Sequence, residues 1–407
     1  MRCRLCQNVK LKKFLDLGFS PPEDAFLSKE DLTKSETWYP LTVNICINCG
    51  FSQLGYIAPL EAKFGDRYIY DTAATPAGLQ YYNKFAKEVT QKLLLTNNDF
   101  VIDIGSNTGV LLEAFNKYSG CETLGIDPAP IVARIAQKKG IKTIVKPFTE
   151  QLAKDILKSK GSVRLITGTN VFAHIDDLID VMKGINKLLH DKGVFIFESP
   201  HFLHLVKNYE YDTIYHGHAS YITINPLIPF LKRFGMEIFD IKETDIHGGS
   251  IRVFIDRQGQ HKIENNVQRI INKEKQAGIL KYSYLLKWSK RVELNQKKLI
   301  KLLLNLKLKD KRIVGIGAPA KSTTLLTSCQ IGTSIIDYVT DRNKMKIGKF
   351  TPGTHIPIRS DKYLLSDMPD YAIILPWNFA PQIINNLKKY IQKGGKFILP
   401  NPTPKIL

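Results

Sequence analysis

The chain has 407 residues, 43% of them hydrophobic and 24% charged, which is ordinary globular material with length for two or three domains. No apolar run approaches a membrane span and no targeting segment opens the chain, so a cytoplasmic protein without membrane contact is expected. The formal net charge of +20 leaves nucleic acid, acidic surfaces and anionic small molecules open as partners, although much of it is lysine alternating with an apolar stripe, as in KEKQAGILKYSYLLKWSKRVELNQKKLIKLLLNLKLKDKR (273–312), the pattern of a solvated helix face.

The first element is a cysteine module. CRLC at Cys3 and Cys6 and CINC at Cys46 and Cys49 are two C-x2-C pairs separated by thirty-nine residues. Four thiolates so arranged surround one tetrahedral Zn²⁺, each pair gripping it from a tight turn, and leave no position open for water; the metal is expected to organise a small core of its own, not to catalyse. Disulfides are the alternative. They suit short secreted chains, and only Cys121 and Cys329 are added elsewhere.

Residues 1–60 form this module. The aromatic stretch DRYIYDTAATPAGLQYYNKF leads into a helix ending near Leu95, after which strand and helix alternate: VIDIG, VLLEAFNKY, TLGID, IVARIAQKKG, KTIV, a helix after Thr149, VRLITGTN, IDDLIDVMKGINKLL and VFIFE. Short β-rich runs between amphipathic helices mark a doubly wound parallel sheet. A block holding most of the histidines completes the second domain, 61–255. The third, 256–407, is the basic helical region followed by a second α/β unit, with RIVGIGAPAKSTTLL, IIDYVTD, YAIILP and KFILP. The fold class is thus α/β: a small zinc-binding domain, a central Rossmann-like sheet and a second Rossmann-like domain.

In VIDIGSNTGVLLEAF, Asp103 stands at a strand end and Gly105, Asn107 and Gly109 form the turn before a helix, so backbone N–H groups are free to meet an anionic or polar ligand. TLGIDPAP then ends in Asp127, where a ribose diol would lie; an acidic residue there suits NAD and S-adenosylmethionine alike, and it also suits capping of the next helix. D-I-G-S-N-T-G resembles the methyltransferase version of the turn and departs from G-x-G-x-x-G.

With these motifs the whole chain resembles the sugar C-methyltransferases that act on nucleotide-activated deoxyketosugars. The resemblance implies a four-cysteine zinc domain placed as a lid over the sugar, a central S-adenosylmethionine-binding sheet and a C-terminal Rossmann-like domain that helps to hold the sugar nucleotide. It implies cofactor contacts from Asp103, Gly105, Asn107, Gly109 and Asp127, from Phe148 and Thr149 in VKPFTEQLA beside the adenine, and from Asn170 in GTNVFAHIDD, with His174 facing the substrate. YIYDTAATP resembles the stretch in which a tyrosine approaches the reacting centre: Tyr70, with Tyr68 as its neighbour on the substrate.

YDTIYHGHASY (211–221) concentrates acid–base groups. Methylating carbon requires a carbanion equivalent; a neighbouring ketone permits an enolate if the protein supplies a base and donors for the oxyanion. The family pattern here is Y-H-E-H, whereas this chain reads Tyr215, His216, Gly217, His218. The resemblance gives His218 and Tyr215 the base and oxyanion functions, with His216 beside them, and leaves no acid at Gly217. Glu198, at the end of VFIFE, or water in the space above the glycine is the expected substitute. The alternative is methyl transfer to oxygen or nitrogen, which needs no carbanion. Read without the resemblance, the two histidines are a loop pair satisfying backbone groups, or a metal pair that lacks a third ligand at the right spacing.

HGGSIRVF offers His247 and Arg252 for substrate positioning, or merely a tight turn. GIGAPAKSTTLL is similar to the family's G-x-G-A-x-x-K and cannot be aligned to a P-loop. Its turn and Lys321 are expected at the diphosphate, with Asp341, Trp377 and Asn378 at neighbouring strand ends. The expected cofactors are S-adenosylmethionine and a structural Zn²⁺; the expected partner is a nucleotide-linked deoxyketosugar taken by a monomer, with no nucleic acid. A zinc-containing nucleic-acid-binding protein is the reading from another class, and it leaves both glycine turns and the histidine block unexplained.

Overall fold

In LKKFLDLGFS the residues Phe14, Leu15 and Leu17 turn inward, and in YPLTVNIC Leu41, Val43 and Ile45 alternate inward at the period of two that a half-buried strand requires. These are β1 (Leu11–Ser20) and β2 (Tyr39–Cys46), antiparallel with Leu11 opposite Cys46 and Ser20 opposite Tyr39; β3 (Ser52–Leu54) returns against β2. The structure, a computed structural model, describes residues 1–64 and 76–407.

The central sheet begins with β4 (Phe100–Ile104), β5 (Glu122–Ile126), β6 (Thr143–Ile144), β7 (Val163–Thr169) and β8 (Leu189–Pro200), linked by helices. All five residues of β4 are buried, as befits a strand covered on both faces. The chain then leaves this sheet, and β9 (Ser220–Tyr221) pairs with β3 as the fourth strand of the first sheet. β10 (Met236–Thr244) and β11 (Ser250–Arg257) close the central sheet in the order β6-β5-β4-β7-β8-β11-β10, parallel except that β11 runs against both its neighbours. That reversed strand separates it from the all-parallel dinucleotide arrangement. The helix Asn265–Ala277 buries Val267, Ile270 and Ile271 in the same core, which therefore extends past residue 255.

The last sheet has β12 (Ile313–Ile316), β13 (Val339–Asp341), β14 (Ile358–Ser360), β15 (Tyr371–Ile374), β16 (Lys396–Leu399) and β17 (Lys405–Ile406), in the order β14-β13-β12-β15-β16-β17, parallel apart from β17. Between the second and third sheets lies the 26-residue helix Tyr282–Lys307. Its Leu285, Trp288, Val292, Leu299, Leu303 and Leu306 form one buried stripe, and its lysines face outward, as the charge pattern predicts. Trp288 meets Phe14 of β1 at 6.4 Å between ring centroids, and the stripe shares a single core with β1, β2, β12 and β15. Among the described residues no helix is long and apolar enough to cross a membrane.

The cysteines close into one cluster. The sulfurs of Cys3 and Cys49 are 3.6 Å apart, those of Cys6 and Cys46 3.5 Å, and all four lie within 4.8 Å of one another. A tetrahedral site with Zn–S bonds of about 2.3 Å has S···S edges of about 3.8 Å, so the donor set fits zinc. Each pair sits on a tight turn, Gln7 N–H to Cys3 O at 2.9 Å and Gly50 N–H to Cys46 O at 2.8 Å; Gln7 and Gly50 both take positive φ, 60° and 79°. The contact between Cys3 and Cys49 pulls the Cys3 thiol down to about 5 and pushes that of Cys49 up, so Cys3 is the sulfur of that pair that gives up its proton first. The core of its own expected for this module is absent: Cys3, Leu5, Cys46 and Phe51 bury against the central sheet, while β1 and β2 share their core with the last one. We predict about one zinc per chain retained through chelator washing, as read by elemental analysis. Cys6→Ser should reduce it to below about a tenth and lower the melting temperature of the whole chain, because metal binding is folding energy here; zinc-free wild-type protein melting at the same temperature as the zinc-loaded form contradicts this.

Candidate active site

The turn after β4 is shaped by steric exclusion. Gly105 has φ +69°, and a Cβ there would meet Val171 Cγ2 at 2.1 Å; Asn107 is also left-handed at 51°. Gly109, at φ +78°, starts the helix Val110–Ser119 with no side chain capping it, so the first N–H groups of that helix have no side-chain acceptor. Asp127, just past β5, is 6% exposed. One of its oxygens accepts the Asn107 N–H and the other the Ala129 N–H, both at 2.8 Å. It thus ties the first turn to the second without capping the next helix, Pro130–Lys138, whose N-cap is Ala129 and which has no side-chain cap, while each carboxylate oxygen keeps a further lone pair for a hydroxyl.

Beneath this turn Asp103 is buried and accepts the Thr167 hydroxyl at 2.6 Å; burial pushes its carboxyl up to about 7. Asn170, at the end of β7, takes φ 56° and its N–H donates to Glu198 O at 2.7 Å. Its side-chain Oδ1 and the hydroxyl of Ser106 are buried without a partner among the described residues. A hydroxyl and an amide oxygen left without partners in the segments that follow β4 and β7, with a helix that has no side-chain cap, suit a ligand carrying hydroxyls and an ammonium group, as S-adenosylmethionine does. Phe148 is placed deeper: it packs over Gly184 in the core, and the Thr149 hydroxyl caps the helix Glu150–Lys160 by accepting Leu152 N–H at 3.1 Å.

The histidine block forms the loop between the short turn Tyr211–Thr213 and β9. His218 Nδ1 lies 2.8 Å from the Thr213 carbonyl, which can only accept, so Nδ1 carries the proton and Nε2 faces the Tyr215 hydroxyl at 2.9 Å. His174, from the turn after β7, donates from Nδ1 to the Gly217 carbonyl at 2.5 Å, and its ring lies 4.9 Å from that of His218. Three expected residues from two parts of the chain therefore converge. His216 points the other way, donating from Nε2 to Ser20 O at 3.0 Å with its ring edge-on to Tyr39, and ties the loop to the first sheet.

Glu198 does not stand in for the acid missing at Gly217. It is paired across the β8–β11 register with Arg252, Nε to Oε2 at 3.0 Å, and accepts the Tyr81 hydroxyl at 2.6 Å on the same oxygen. Arg252 is enclosed in turn, its guanidinium 3.6 Å from the Phe85 ring centroid. The acid at the loop is Glu23, whose Oε1 accepts the Gly217 N–H at 3.0 Å. Nothing in SPPEDAF signals this, since the partner is 194 positions away.

In the last domain Lys321, Trp377 and Asn378 also converge. Lys321 Nζ donates to Asn378 Oδ1 at 2.8 Å and lies 4.4 Å from the Trp377 ring centroid. Their common anion is Asp212, which sequence reading passed over although it lies within YDTIYHGH: it is fully buried, accepts the Trp377 indole N–H at 2.7 Å and sits 3.6 Å from Lys321. Burial pushes the Asp212 carboxyl up, and Lys321 draws it back. Asp341 repeats the arrangement of Asp127, one oxygen on the Ala318 N–H and the other on the Asn343 N–H, both at 2.8 Å. Tyr68, Tyr70 and the side chain of His247 lie outside the described residues.

Asp103 has a measurable signature. With an ordinary value of 3.8 in the unfolded chain and about 7 when folded, it binds more proton in the native state between those limits, so its contribution to stability is full at low pH and is lost as pH rises towards 7. Asp103→Asn should remove this loss, on the order of 2 kcal/mol between pH 5 and 7.5. Urea unfolding of the cofactor-free protein at both pH values tests it, and identical pH dependence in variant and wild type sinks it.

A family model described as a zinc binding domain matches residues 3–64, one described as a methyltransferase domain residues 79–240, and one described as a C-methyltransferase C-terminal domain residues 245–402. The C-methyltransferase NovU of Streptomyces niveus is 33% identical over 406 residues, covering 100% of this chain and 96% of that protein. An uncharacterized protein of Methanocaldococcus jannaschii is 30% identical over 138 residues, 33% of this chain and 51% of its own. Among solved structures, an S-adenosylmethionine-dependent methyltransferase from Clostridium acetobutylicum is 18% identical with a TM-score of 0.36, covering 44% of this chain and 92% of that one. By a relative of one-third identity along nearly the whole of both chains, this chain belongs to the C-methyltransferase family, enzymes that hold zinc in their N-terminal domain and take their methyl group from S-adenosylmethionine.

Proposed function

We propose that the protein methylates the carbon next to the ketone of a nucleotide-linked 4-keto-deoxysugar, by way of an enolate. The observation that carries this reading is the Tyr215–His218 pair, joined at 2.9 Å with the histidine tautomer fixed by the Thr213 carbonyl. Carbon bound to hydrogen is not a nucleophile, so the reaction needs a base of near-neutral pKa and a donor for the developing oxyanion. His218 Nε2 is the nitrogen able to take the proton. As the C–H electron pair moves into the C=C bond, the carbonyl oxygen becomes anionic. The Tyr215 hydroxyl, released as His218 Nε2 takes the proton, is at hand to steady it, and so is the His174 ring once its Nε2 is protonated, its Nδ1–H being held by the Gly217 carbonyl. When bound, S-adenosylmethionine supplies an electrophilic methyl group to that carbon; Ser106, Asn107, Asp127 and Asn170 are the residues that would hold it. Lys321, Trp377 and Asn378 would hold the nucleotide end, the ammonium facing phosphate and the indole offering a flat apolar surface.

The test uses a nucleoside-diphosphate 4-keto-6-deoxyhexose with S-adenosylhomocysteine in D₂O, where proton removal can proceed and methylation cannot. The wild type should wash deuterium into the carbon beside the ketone. His218→Ala should abolish the exchange, and Tyr215→Phe should slow it about 10²-fold. Lys321→Ala should raise KM about tenfold with kcat little changed, the mark of binding shared by ground and transition states. A product methylated on oxygen or nitrogen, with no exchange by the wild type, overturns the enolate.

A further inference from the structure

The peptide of Gly217 is held from both sides. Its carbonyl accepts His174 Nδ1–H, and its N–H donates to Glu23 Oε1. A Cβ on residue 217 would lie 2.3 Å from that carboxylate oxygen, 3.3 Å from Tyr215 Cε2 and 3.4 Å from His174 Nδ1. The carboxylate of Glu23 therefore stands where a side chain at 217 would begin, between the tyrosine and the histidine. Glu23 is 7% exposed, follows Pro21 and Pro22, and has its own carbonyl bonded to the Thr323 hydroxyl at 2.9 Å, on the helix that carries Lys321. Packing alone gives no reason for an ionisable group here, since a buried carboxylate is costly unless its hydrogen bonds are made.

We propose that Glu23 is a positioning residue of the proton-transfer loop: from the N-terminal module it delivers the carboxylate that residue 217 lacks and, through the Gly217 peptide, fixes the His174 imidazole. The role of the loop rests on the reading under Proposed function; the origin of its carboxylate does not. Gly217 is outside the left-handed region, so its backbone accepts a side chain, and the severest clash for one is with Glu23, at 2.3 Å against 3.3 and 3.4 Å for Tyr215 and His174. A relocation follows from that. Glu23→Ala should lower kcat of deuterium exchange about 10²-fold with KM within about threefold, the size of a misplaced catalytic group. Gly217→Glu alone should lower it as well, since two carboxylates then compete for one space. Glu23→Ala combined with Gly217→Glu should recover to within about tenfold of the wild type.

Near-ultraviolet circular dichroism and S-adenosylhomocysteine affinity report whether each variant is folded. A folded double variant no faster than Glu23→Ala, or Glu23→Ala at the wild-type rate, overturns the proposal. If the wild type itself shows no exchange, the enolate reading falls and the proposal is decided without substrate, by NMR titration of His174. Glu23→Gln should lower the imidazole pKa measurably, because a nearby carboxylate favours the charged ring, and the relocated carboxylate should raise it again; an unchanged titration overturns it.

Discussion

The pairing of β3 with β9 is the contact on which the site depends. Ser52 lies opposite Tyr221 and Gln53 opposite Ser220, so two residues that follow the histidine loop complete a sheet begun by the first fifty residues. The zinc cluster fixes the turn from which β3 starts. Arg4, between the two cysteines of the first pair, donates its N–H to Gln53 and its guanidinium to Asp176 beside the His174 turn. Metal, sheet edge and both histidine segments form one connected body. The cysteine cluster, which has no open coordination position to offer, is thus joined through Arg4 to the sheet edge at Gln53 and to Asp176 beside the turn that carries His174.

The two α/β units solve the same problem in the same way. Asp127 and Asp341 each stand at the end of a second strand, each accepts an N–H from the turn after the first strand, and each accepts a second N–H two residues further on. A single carboxylate thereby orders two loops whose backbone must remain open to a ligand. The units share no sequence beyond the glycine turn and this acid, and their likeness follows from what a strand-to-helix turn requires when it must not be filled by side chains.

Much of this was legible because it is local. Cysteine spacing, glycine turns and strand-end acids each depend on a few adjacent residues, and so does the Tyr215–His218 pair three positions apart. Reading failed where the partner is remote. Glu198 and Arg252 were separately assigned to the chemistry and to the substrate, yet they belong to each other through a cross-strand register that no single segment displays. Asp212 and Glu23 carry no motif; only the packing of three modules gives them their neighbours. The cysteine module likewise reads as self-contained, although its apolar positions are divided between two cores.

The long helix Tyr282–Lys307 has a consequence for how the chain comes to be folded. Phe14, Leu41 and Val43 bury beside Trp288 and Leu303, and these beside Ile313, Ile373 and Ile398. Part of the hydrophobic surface of the first strands thus finds its cover between residues 285 and 398, although Phe14 also meets Phe202 at 6.4 Å between ring centroids. Such contacts carry a high loop-closure cost and form slowly. During synthesis from the N-terminus, the central sheet has its own residues to hand, whereas the opening sheet leaves part of its apolar face uncovered until the long helix and the last sheet are made. The cysteine pairs bracket the first hairpin, Cys3 beside Cys49 and Cys6 beside Cys46, so a metal taken up early would hold β1 and β2 in register while that cover is still being made.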